Sequence, residues 1–392
     1  MGCATAEAAL RPEWDVVWLS DIPWPSLWQR PQELASRFPD TARILFVEPW
    51  TLGQPAVLRP VEVAPRVRRV SFPFLPLHAR SLALRRAAYT LGSSGIATSA
   101  LFAAQRAWAG GLVAGLRPES RRLAVVQNFM AEPFLASLRA ERTVYDMIDA
   151  PLHFAPVPPR LVPRWERLLR NADRVVVTSG PLRTLALQGG AAAPLLVGNG
   201  VDVDRFDPSR VAPSALPGNP AAPVLGYVGS IHSWFDAPLV ETLARAIPEA
   251  RVVLVGPAHP SVAREIERAA AAVSNLFWLG PKPKEAVPGL VRAFRAGLIP
   301  FRRTPLTEAV NPVKLYEYAA TGVPCITTRF SDEVDGWGEA ARVAATPESF
   351  VAAARSLLAA PADPAPLVAF ARRHDWGAIA RRFVSICLED AA

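Results

Sequence analysis

Short apolar runs recur along the whole chain and alternate with longer stretches of helical periodicity. Each run is rich in Val, Leu, Ile, Phe or Trp and ends at Gly, Pro, Asn, Asp or Ser. An unbroken apolar run is typical of a strand that is buried on both faces of a parallel sheet. The alternation therefore predicts an α/β protein of the doubly wound type. The predicted strands are 14–19, 43–48, 123–127, the start of 143–151, 174–179, 195–197, the start of 224–232, 251–256, 276–280, 297–301 and 325–328.

A change of composition near the middle of the chain divides it into two domains. The stretch 207–223 is rich in Pro, Ala and Ser, which indicates a linker, and it follows an Asn199-Gly200 pair that permits a turn with positive φ. With 392 residues, the chain has room for two domains of ordinary size. We predict a first domain at 1–200, a second at 201–375 and a terminal helical segment at 376–392. The stretch 81–116 is predicted to be mostly helical.

A short helix at 311–324 carries the most specific chemistry in the second domain. Pro312 suits its first turn, and Gly322 and Pro324 end it. The first turn of a helix exposes unpaired N–H groups, and Lys314 adds a full charge there, so the segment suits a phosphate or diphosphate. Glu317 lies on nearly the same face and suits the hydroxyls of a ribose. The alternative is an ordinary surface helix with a Lys–Glu pair at i,i+3.

Other donor contacts are predicted around this helix. Gly229 and Ser230 follow the first strand of the second domain and would allow a phosphate to approach the backbone closely. Asn311 lies at the start of this segment, and Arg302 or Arg303 would share the charge of a diphosphate with Lys314.

A loop rich in Pro and Trp, residues 20–34, follows the first strand of the first domain. Because it leaves the carboxyl end of a parallel strand, we expect it to line a ligand site. Pro31 near the start of a helix places Arg30 and Gln32 in the first turn, on the side of the acceptor. Simple packing of the loop by its tryptophans is the alternative.

Two carboxylates end a later strand of the first domain. Asp149, in the exit loop, is the candidate general base, and Asp146 would orient that loop by binding backbone N–H groups. His153 is the competing base because the ordinary pKa of histidine is near neutrality. The alternative is that both aspartates only form turns.

Composition limits the remaining possibilities. A hydrophobic fraction of 51% with 20% charged residues indicates a globular protein. The three cysteines are far apart in sequence, which favours neither disulfides nor a zinc site, and no export signal or spanning helix is predicted. Asp202-Val203-Asp204 is the only Asp-x-Asp triplet, and it lies in the interdomain turn, so no metal is expected.

The net charge of +8 lies entirely in the first 200 residues. Within them, arginines interleave with large apolar residues over 59–86, a pattern that suits the surface of an anionic membrane. A solvated surface helix and loop is the alternative. Nucleic-acid binding is not expected, because no recognition motif accompanies the charge.

Several motifs resemble those of sugar-nucleotide glycosyltransferases with the GT-B architecture, two Rossmann-like domains facing across a cleft. The run NPVKLYEYAATGVP resembles their donor-site helix, and NGVD followed by Phe206 resembles their interdomain crossing. The retaining branch carries two glutamates eight positions apart. This chain has Glu317 in the second position, Ala309 in the first and Glu308 one residue out of register.

The departure makes the chain look closer to a group that includes teichuronic acid glycosyltransferases and the xanthan glucuronosyltransferase. The WQRPQ run is similar to this group, and YDMIDAP resembles the segment with the catalytic Asp of the inverting xanthan enzyme, which falls on Asp149. The resemblance implies that the nucleobase is read by backbone at Pro281 and Lys282. It also implies that the terminal helix returns to the first domain.

The resemblance implies an inverting, metal-independent enzyme that uses a nucleotide-diphosphate sugar, with a UDP-sugar favoured, and no cofactor. The expected acceptor is a hydroxyl of a lipid-linked or cell-surface glycan, and the expected location is the cytoplasm, including the inner face of the cell membrane. Two alternatives stay open: a soluble natural-product glycosyltransferase with a small-molecule acceptor, and a relative that binds or epimerises nucleotide sugars without transferring them.

Overall fold

A computed structural model describes residues 14–389 except 53, 73–77, 80–82, 84–94, 155–156 and 158. The chain divides into two compact units. The first comprises the described residues up to Thr178, together with Leu182–Val197 and the residues from Ala380 onward; the second comprises Ser179–Pro181 and Gly198–Ile379. These boundaries lie within a few residues of those expected at 200 and 375.

The first unit contains a mostly parallel sheet. The strands of this unit are, in chain order, β1 (Trp14–Leu19), β2 (Ala42–Pro49), β3 (Thr51–Leu52), β4 (Val61–Ala64), β5 (Val67–Phe72), β6 (His78–Ala79), β7 (Arg121–Val126), β8 (Arg142–Met147), β9 (Arg174–Val177) and β10 (Leu195–Leu196). Strands β3 and β6 pair with each other in a separate two-stranded sheet. The main sheet has the order β10-β9-β8-β7-β1-β2-β5-β4, with only β4 antiparallel. The strand order reverses between β1 and β7, and in open α/β sheets ligands bind at such a point.

The helices of the first unit cover this sheet. The predicted helical stretch 81–116 is confirmed over Gly95–Ala114, and most of 81–94 lies outside the described residues. The remaining helices are Arg30–Ala35, Leu135–Leu138, Pro151–Phe154, Val162–Asn171 and Gly180–Gln188, with 3-10 turns at Phe129–Phe134 and Pro159–Leu161.

The terminal helix, Trp376–Leu388, packs on the first unit from Ala380 onward. The Phe383 ring lies 5.9 Å from Trp18 and 6.4 Å from Phe38, and the Cys387 carbonyl accepts a hydrogen bond from Arg142 at 2.9 Å. The expectation that this helix returns to the first domain is confirmed.

Part of the basic stretch 59–86 forms a β-hairpin, β4 and β5, which was not predicted. Val70 and Phe72 are 0% and 1% exposed, and Arg69 forms an ion pair of 3.0 Å with Glu48. The described apolar side chains of β5 therefore belong to the core, so they are not available to a membrane surface.

The second unit contains a parallel sheet of six strands: β11 (Val224–Val228), β12 (Arg251–Val255), β13 (Leu276–Trp278), β14 (Ala296–Ile299), β15 (Cys325–Thr328) and β16 (Ala341–Ala344). Their order, β13-β12-β11-β14-β15-β16, is the 3-2-1-4-5-6 order of dinucleotide-binding folds. Its helices are Ala237–Ala246, Pro260–Ala272, Val287–Arg292, Pro305–Glu308, Val313–Ala320, Pro347–Ala359 and Pro364–Arg372, with 3-10 segments at Lys284–Ala286 and Asp332–Ala340.

One cation binds several carbonyl groups of the predicted linker. Arg251, on β12, donates hydrogen bonds to the carbonyls of Leu216, Pro217 and Ala222 at 3.0, 3.1 and 2.7 Å. The linker therefore has a fixed path. Among the described residues, no helix has the length and apolarity needed to cross a membrane.

Candidate active site

Three glycines form the carboxyl edge of the second sheet. Gly229, Gly256 and Gly280 follow β11, β12 and β13, with φ of +142°, +136° and +64°. The loops pack so closely that a Cβ on Gly256 would lie 2.0 Å from the Gly229 carbonyl oxygen. Side chains do not fit at this edge of the sheet, so a ligand there would contact the backbone.

Lys314 lies directly over this glycine edge. The helix begins at Val313, with Pro312 as its N-cap residue. A Cβ on Gly229 would lie 3.4 Å from Lys314 Nζ, and Nζ lies 5.2 and 4.9 Å from the ring centroids of Tyr227 and Phe301. Gly229 and Lys314 therefore lie close together, and their contact with a donor stays a prediction.

The Lys314 ammonium has no hydrogen bond or ion pair with a residue that the structure describes. Burial lowers its pKa to about 8, and the nearby Glu317 and Cys325 oppose that shift. A desolvated cation with no hydrogen-bonded anion gains most from an incoming anion. The edge of the second sheet is therefore suited to a diphosphate.

Asn311 was predicted to contact the donor, and in the structure it forms hydrogen bonds with Asn199 and Tyr316. Its Oδ1 accepts hydrogen bonds from the Asn199 backbone at 3.2 Å and from the Tyr316 hydroxyl at 3.0 Å, and its carbonyl accepts one from Asn199 Nδ2 at 2.7 Å. The side chain holds the 198–200 turn, a long-range contact that the sequence did not reveal. A contact between Asn311 and a donor stays a prediction, to which these hydrogen bonds add a structural role.

The other predicted donor residues surround the glycine edge. Ser230 is partly buried, and its carbonyl accepts a hydrogen bond from Tyr227 at 2.6 Å. Arg302 lies 3.9 Å from Asp236, and Pro281 and Lys282 are exposed just beyond Gly280. Glu317 is partly buried near Lys314. All five positions remain predictions.

An aromatic cluster in the same loops was not predicted. The His232 ring stacks on Trp234 at 4.5 Å and lies 4.1 Å from the His259 ring. His232 and His259 follow β11 and β12, and the bridge between Ile231 and Ala258 holds their loops side by side. The sequence could have indicated this cluster, because His232 and His259 each follow one of two neighbouring parallel strands.

The position that a retaining enzyme gives to its first glutamate is apolar here. Ala309 is 4% exposed, and the neighbouring Glu308 is held by Arg303 at 2.7 Å. Glu308 is therefore committed to an ion pair.

Three of the predicted acceptor contacts lie inside the first unit instead. Arg30 and Asp146 are 2% and 0% exposed and form an ion pair with N–O distances of 2.9 to 3.1 Å. Arg30 also donates to the Val197 carbonyl at 3.0 Å, and Asp146 accepts from Gln127 at 2.9 Å. The prediction that Asp146 binds backbone N–H groups is thus corrected, because its oxygens are taken by these two side chains.

Gln32 likewise supports the loop from within. It is 0% exposed, its Oε1 accepts from the Gln29 backbone at 3.1 Å, and its Nε2 donates to the carbonyls of Pro23 and Trp24, each at 3.3 Å. Arg30, Gln32 and Asp146 are therefore buried side chains that hold the first unit together. His153 is exposed on the short Pro151–Phe154 helix.

Asp149 is partly buried beyond β8, and it makes no hydrogen bond or ion pair with a described residue. Burial raises its pKa to about 7. A carboxylate with this pKa is suited to take a proton near neutral pH. Within the described chain, no group of three or more His, Cys, Asp or Glu residues is placed to hold a metal ion.

Comparison with known proteins matches part of the chain to a family. Residues 222–360 match the model of the family described as glycosyl transferases group 1. The putative teichuronic acid biosynthesis glycosyltransferase TuaH of Bacillus subtilis (strain 168) is 28% identical over 221 residues, which are 51% of this chain and 54% of that protein. The chain thus spans about half the length of this relative.

Solved structures resemble the chain over nearly its whole length. Sucrose-phosphate synthase from Thermosynechococcus elongatus has a TM-score of 0.65 at 18% identity, covering 95% of this chain and 98% of the other. Anabaena Alr3699/HepE in complex with UDP-glucose has a TM-score of 0.64 at 14% identity, covering 95% and 98%. At these identities the likeness shows the fold. The chain therefore has the GT-B fold, and the part of its second unit at residues 222–360 is similar to the glycosyl transferases group 1 family.

Proposed function

We propose that the protein transfers a sugar from a UDP-sugar to a hydroxyl of a glycan acceptor, with inversion at the anomeric carbon. The observation that carries this proposal is the Lys314 ammonium, desolvated and without an ion pair among the described residues, against the bare backbone of Gly229. The UDP-glucose bound to HepE supports a UDP-sugar as donor, and the similarity to TuaH, a putative teichuronic acid biosynthesis glycosyltransferase, supports a glycan as acceptor.

The donor is held by the second unit. The diphosphate lies over the glycine edge, where Lys314 and the first-turn N–H groups of its helix bind the phosphate oxygens. Glu317 accepts hydrogen bonds from the ribose. As the bond from the anomeric carbon to the diphosphate oxygen breaks, UDP takes the electron pair, and the same groups stabilise its additional charge.

The acceptor is activated by the first unit. Asp149 takes the proton of the acceptor hydroxyl, whose oxygen forms the new bond to the anomeric carbon from the opposite face. Inversion is supported by Ala309 and by the Arg303–Glu308 pair, because no glutamate is free at the position that retaining relatives use.

A transfer assay tests the proposal. Purified protein, UDP-sugars and candidate glycan acceptors are incubated, and the released UDP and the product are followed by chromatography and NMR. We expect UDP release that requires acceptor, and a product of opposite anomeric configuration. A product of unchanged configuration would contradict inversion, whereas epimerised donor without transfer would favour the non-transferring alternative.

The form of the acceptor is tested separately. If the acceptor is lipid-linked, sedimentation with anionic vesicles should be salt-sensitive, because basic residues dominate the first 200 positions. A soluble small-molecule acceptor predicts no such binding.

A further inference from the structure

Two aromatic rings contact the Lys314 ammonium. Its Nζ lies over the Tyr227 ring, 5.2 Å from the centroid, and over the Phe301 ring, 4.9 Å from the centroid. Both distances fall within the range of about 6 Å in which a ring face attracts a cation. Tyr227 and Phe301 are 0% and 4% exposed, so little water competes with this attraction. We call the two rings the aromatic cage.

The backbone of the second unit fixes both rings of the cage. Tyr227 lies on β11, and Phe301 lies two residues beyond β14, the neighbouring strand. Backbone hydrogen bonds of 2.7 and 2.8 Å join the residues on either side of Phe301 to the loop at 234–236. The two ring centroids lie 6.5 Å apart, with the ring planes inclined by 67°. The rings therefore form a fixed corner around the ammonium.

Tyr227 also contacts the glycine edge through its hydroxyl group. The hydroxyl donates a hydrogen bond to the Ser230 carbonyl at 2.6 Å. A Cβ on Gly229 would lie 3.4 Å from the Tyr227 hydroxyl oxygen and 3.4 Å from Lys314 Nζ. One side chain thus contacts both the cation and the backbone of the proposed diphosphate site.

No acid sets the position of the ammonium. The titratable groups whose charge acts on Lys314 are Glu317, on the same helix, and Cys325, on β15. Burial raises the pKa of the Cys325 thiol, so this group is neutral at physiological pH. The ammonium makes no hydrogen bond or ion pair with a residue in the described part of the chain. The ring faces are therefore the contacts that hold it.

We propose that Tyr227 and Phe301 are positioning residues, which hold the Lys314 ammonium over the glycine edge by their ring faces and leave its N–H groups to the diphosphate of the donor. A carboxylate partner would have to be displaced before the ammonium could bind a phosphate. A ring face instead keeps its contact with the cation while the N–H groups meet the phosphate oxygens. The inference rests on the proposed function and adds the residues that position its cation.

Removal of one ring tests the cage. Phe301→Leu keeps an apolar side chain without a ring face, whereas Phe301→Tyr keeps the ring. The Lys314 pKa is followed in the free protein by ¹³C NMR of the lysine side chains, and UDP affinity is measured by isothermal titration. Because a ring face favours the charged amine, Phe301→Leu should lower the Lys314 pKa by about half a unit to one unit and weaken UDP binding about three- to tenfold. Phe301→Tyr should restore both values.

Phe330→Leu is the matched control. The Phe330 ring is 0% exposed and packs on Phe301 with 5.3 Å between the centroids, rather than over the ammonium. This variant should lose about as much stability in urea unfolding as Phe301→Leu, because both replace a buried ring. The Lys314 pKa and UDP affinity should nevertheless be unchanged. Equal pKa shifts in the two leucine variants, or no shift in Phe301→Leu, would overturn the inference.

Tyr227→Phe separates the two contacts of Tyr227. It keeps the ring face and removes the hydroxyl that binds Ser230, so the Lys314 pKa should stay near the wild-type value while UDP affinity falls about three- to tenfold. Unchanged UDP affinity in this variant would overturn the role of Tyr227 at the glycine edge. The pKa shifts are measured without UDP, so a wild type that shows the cage effect but does not bind UDP would overturn the proposed function alone.

Discussion

The carboxyl edges of the two sheets present ionisable side chains of opposite type. In the first unit the edge presents Asp21 and Asp149, and burial raises the pKa of the two carboxyl groups to about 8 and about 7. In the second unit the edge presents Lys314, and burial lowers its pKa to about 8. Burial disfavours the charged form of each group, so it raises the pKa of the two acids and lowers the pKa of the lysine, and all three values come close to neutral pH.

The difference shows that the fold fixes the position of a site and the side chains fix its chemistry. Asp146 and Asp149 illustrate this within one segment. Asp146 points into the core, where Arg30 neutralises it, whereas Asp149 lies beyond the strand without an ion pair in the described chain. Asp146 therefore stabilises the fold, whereas Asp149 is the one that we propose for proton transfer.

The largest expected effect is that of Asp149→Asn on turnover. The amide cannot take a proton, so we expect transfer to fall by about 10²- to 10⁴-fold while UDP affinity is kept. In the wild type, activity should rise with pH through about 7, as Asp149 loses its proton. Initial rates and isothermal titration with UDP measure the two effects, and unchanged turnover would remove Asp149 as the base.

Asp146→Asn should instead act on stability. It leaves the Arg30 charge buried without its partner, which costs about 3–5 kcal/mol in the free energy of unfolding. Urea unfolding of the two asparagine variants, three positions apart, checks the contrast. Equal stability of both variants would mean that the Arg30–Asp146 pair contributes no more than Asp149 does.

Lys314→Met should weaken UDP binding. The loss of one charge-assisted hydrogen bond costs about 1.5–3 kcal/mol, or roughly ten- to a hundredfold in affinity. Lys282→Met, which removes an exposed lysine from the loop beyond Gly280, is the matched control and should have the smaller effect. The prediction fails if the two variants bind UDP equally well.

UDP affinity should also depend on pH. UDP has lost its last proton well below pH 8, so a change above pH 8 reports on the protein. Below about 8 Lys314 is charged and affinity should be constant; above it, affinity should fall by up to about tenfold per pH unit. The Lys314→Met variant should not show this fall, and an identical fall in both proteins would assign it to another group.

The smallest effect is expected for Glu308→Ala. Glu308 is 41% exposed and paired with Arg303, so its removal should change stability by less than about 1 kcal/mol and leave transfer nearly unchanged. Rates measured beside Asp149→Asn give the comparison. A loss of transfer as large as that of Asp149→Asn would show that Glu308 serves the reaction.

The fold was accessible from sequence because apolar runs and helical periodicity are local. Gly229 and Lys314 were found for the same reason. The burial of Arg30 was not predictable, because its partner Asp146 is 116 residues away and only the sheet order brings them together. The environment of Asp21 was not predictable, because it depends on Tyr145 on β8 and on Asp149 just beyond that strand.

The state of the Lys314 ammonium tests the account most directly. The chain has only three lysines, so ¹³C NMR of the lysine side chains can follow each one through a pH titration with and without UDP. We predict a Lys314 pKa near 8 in the free protein and a rise of about one unit or more with UDP, while Lys282 and Lys284 titrate normally. A Lys314 pKa near the ordinary value of about 10.4, unchanged by saturating UDP, would contradict the proposed diphosphate site.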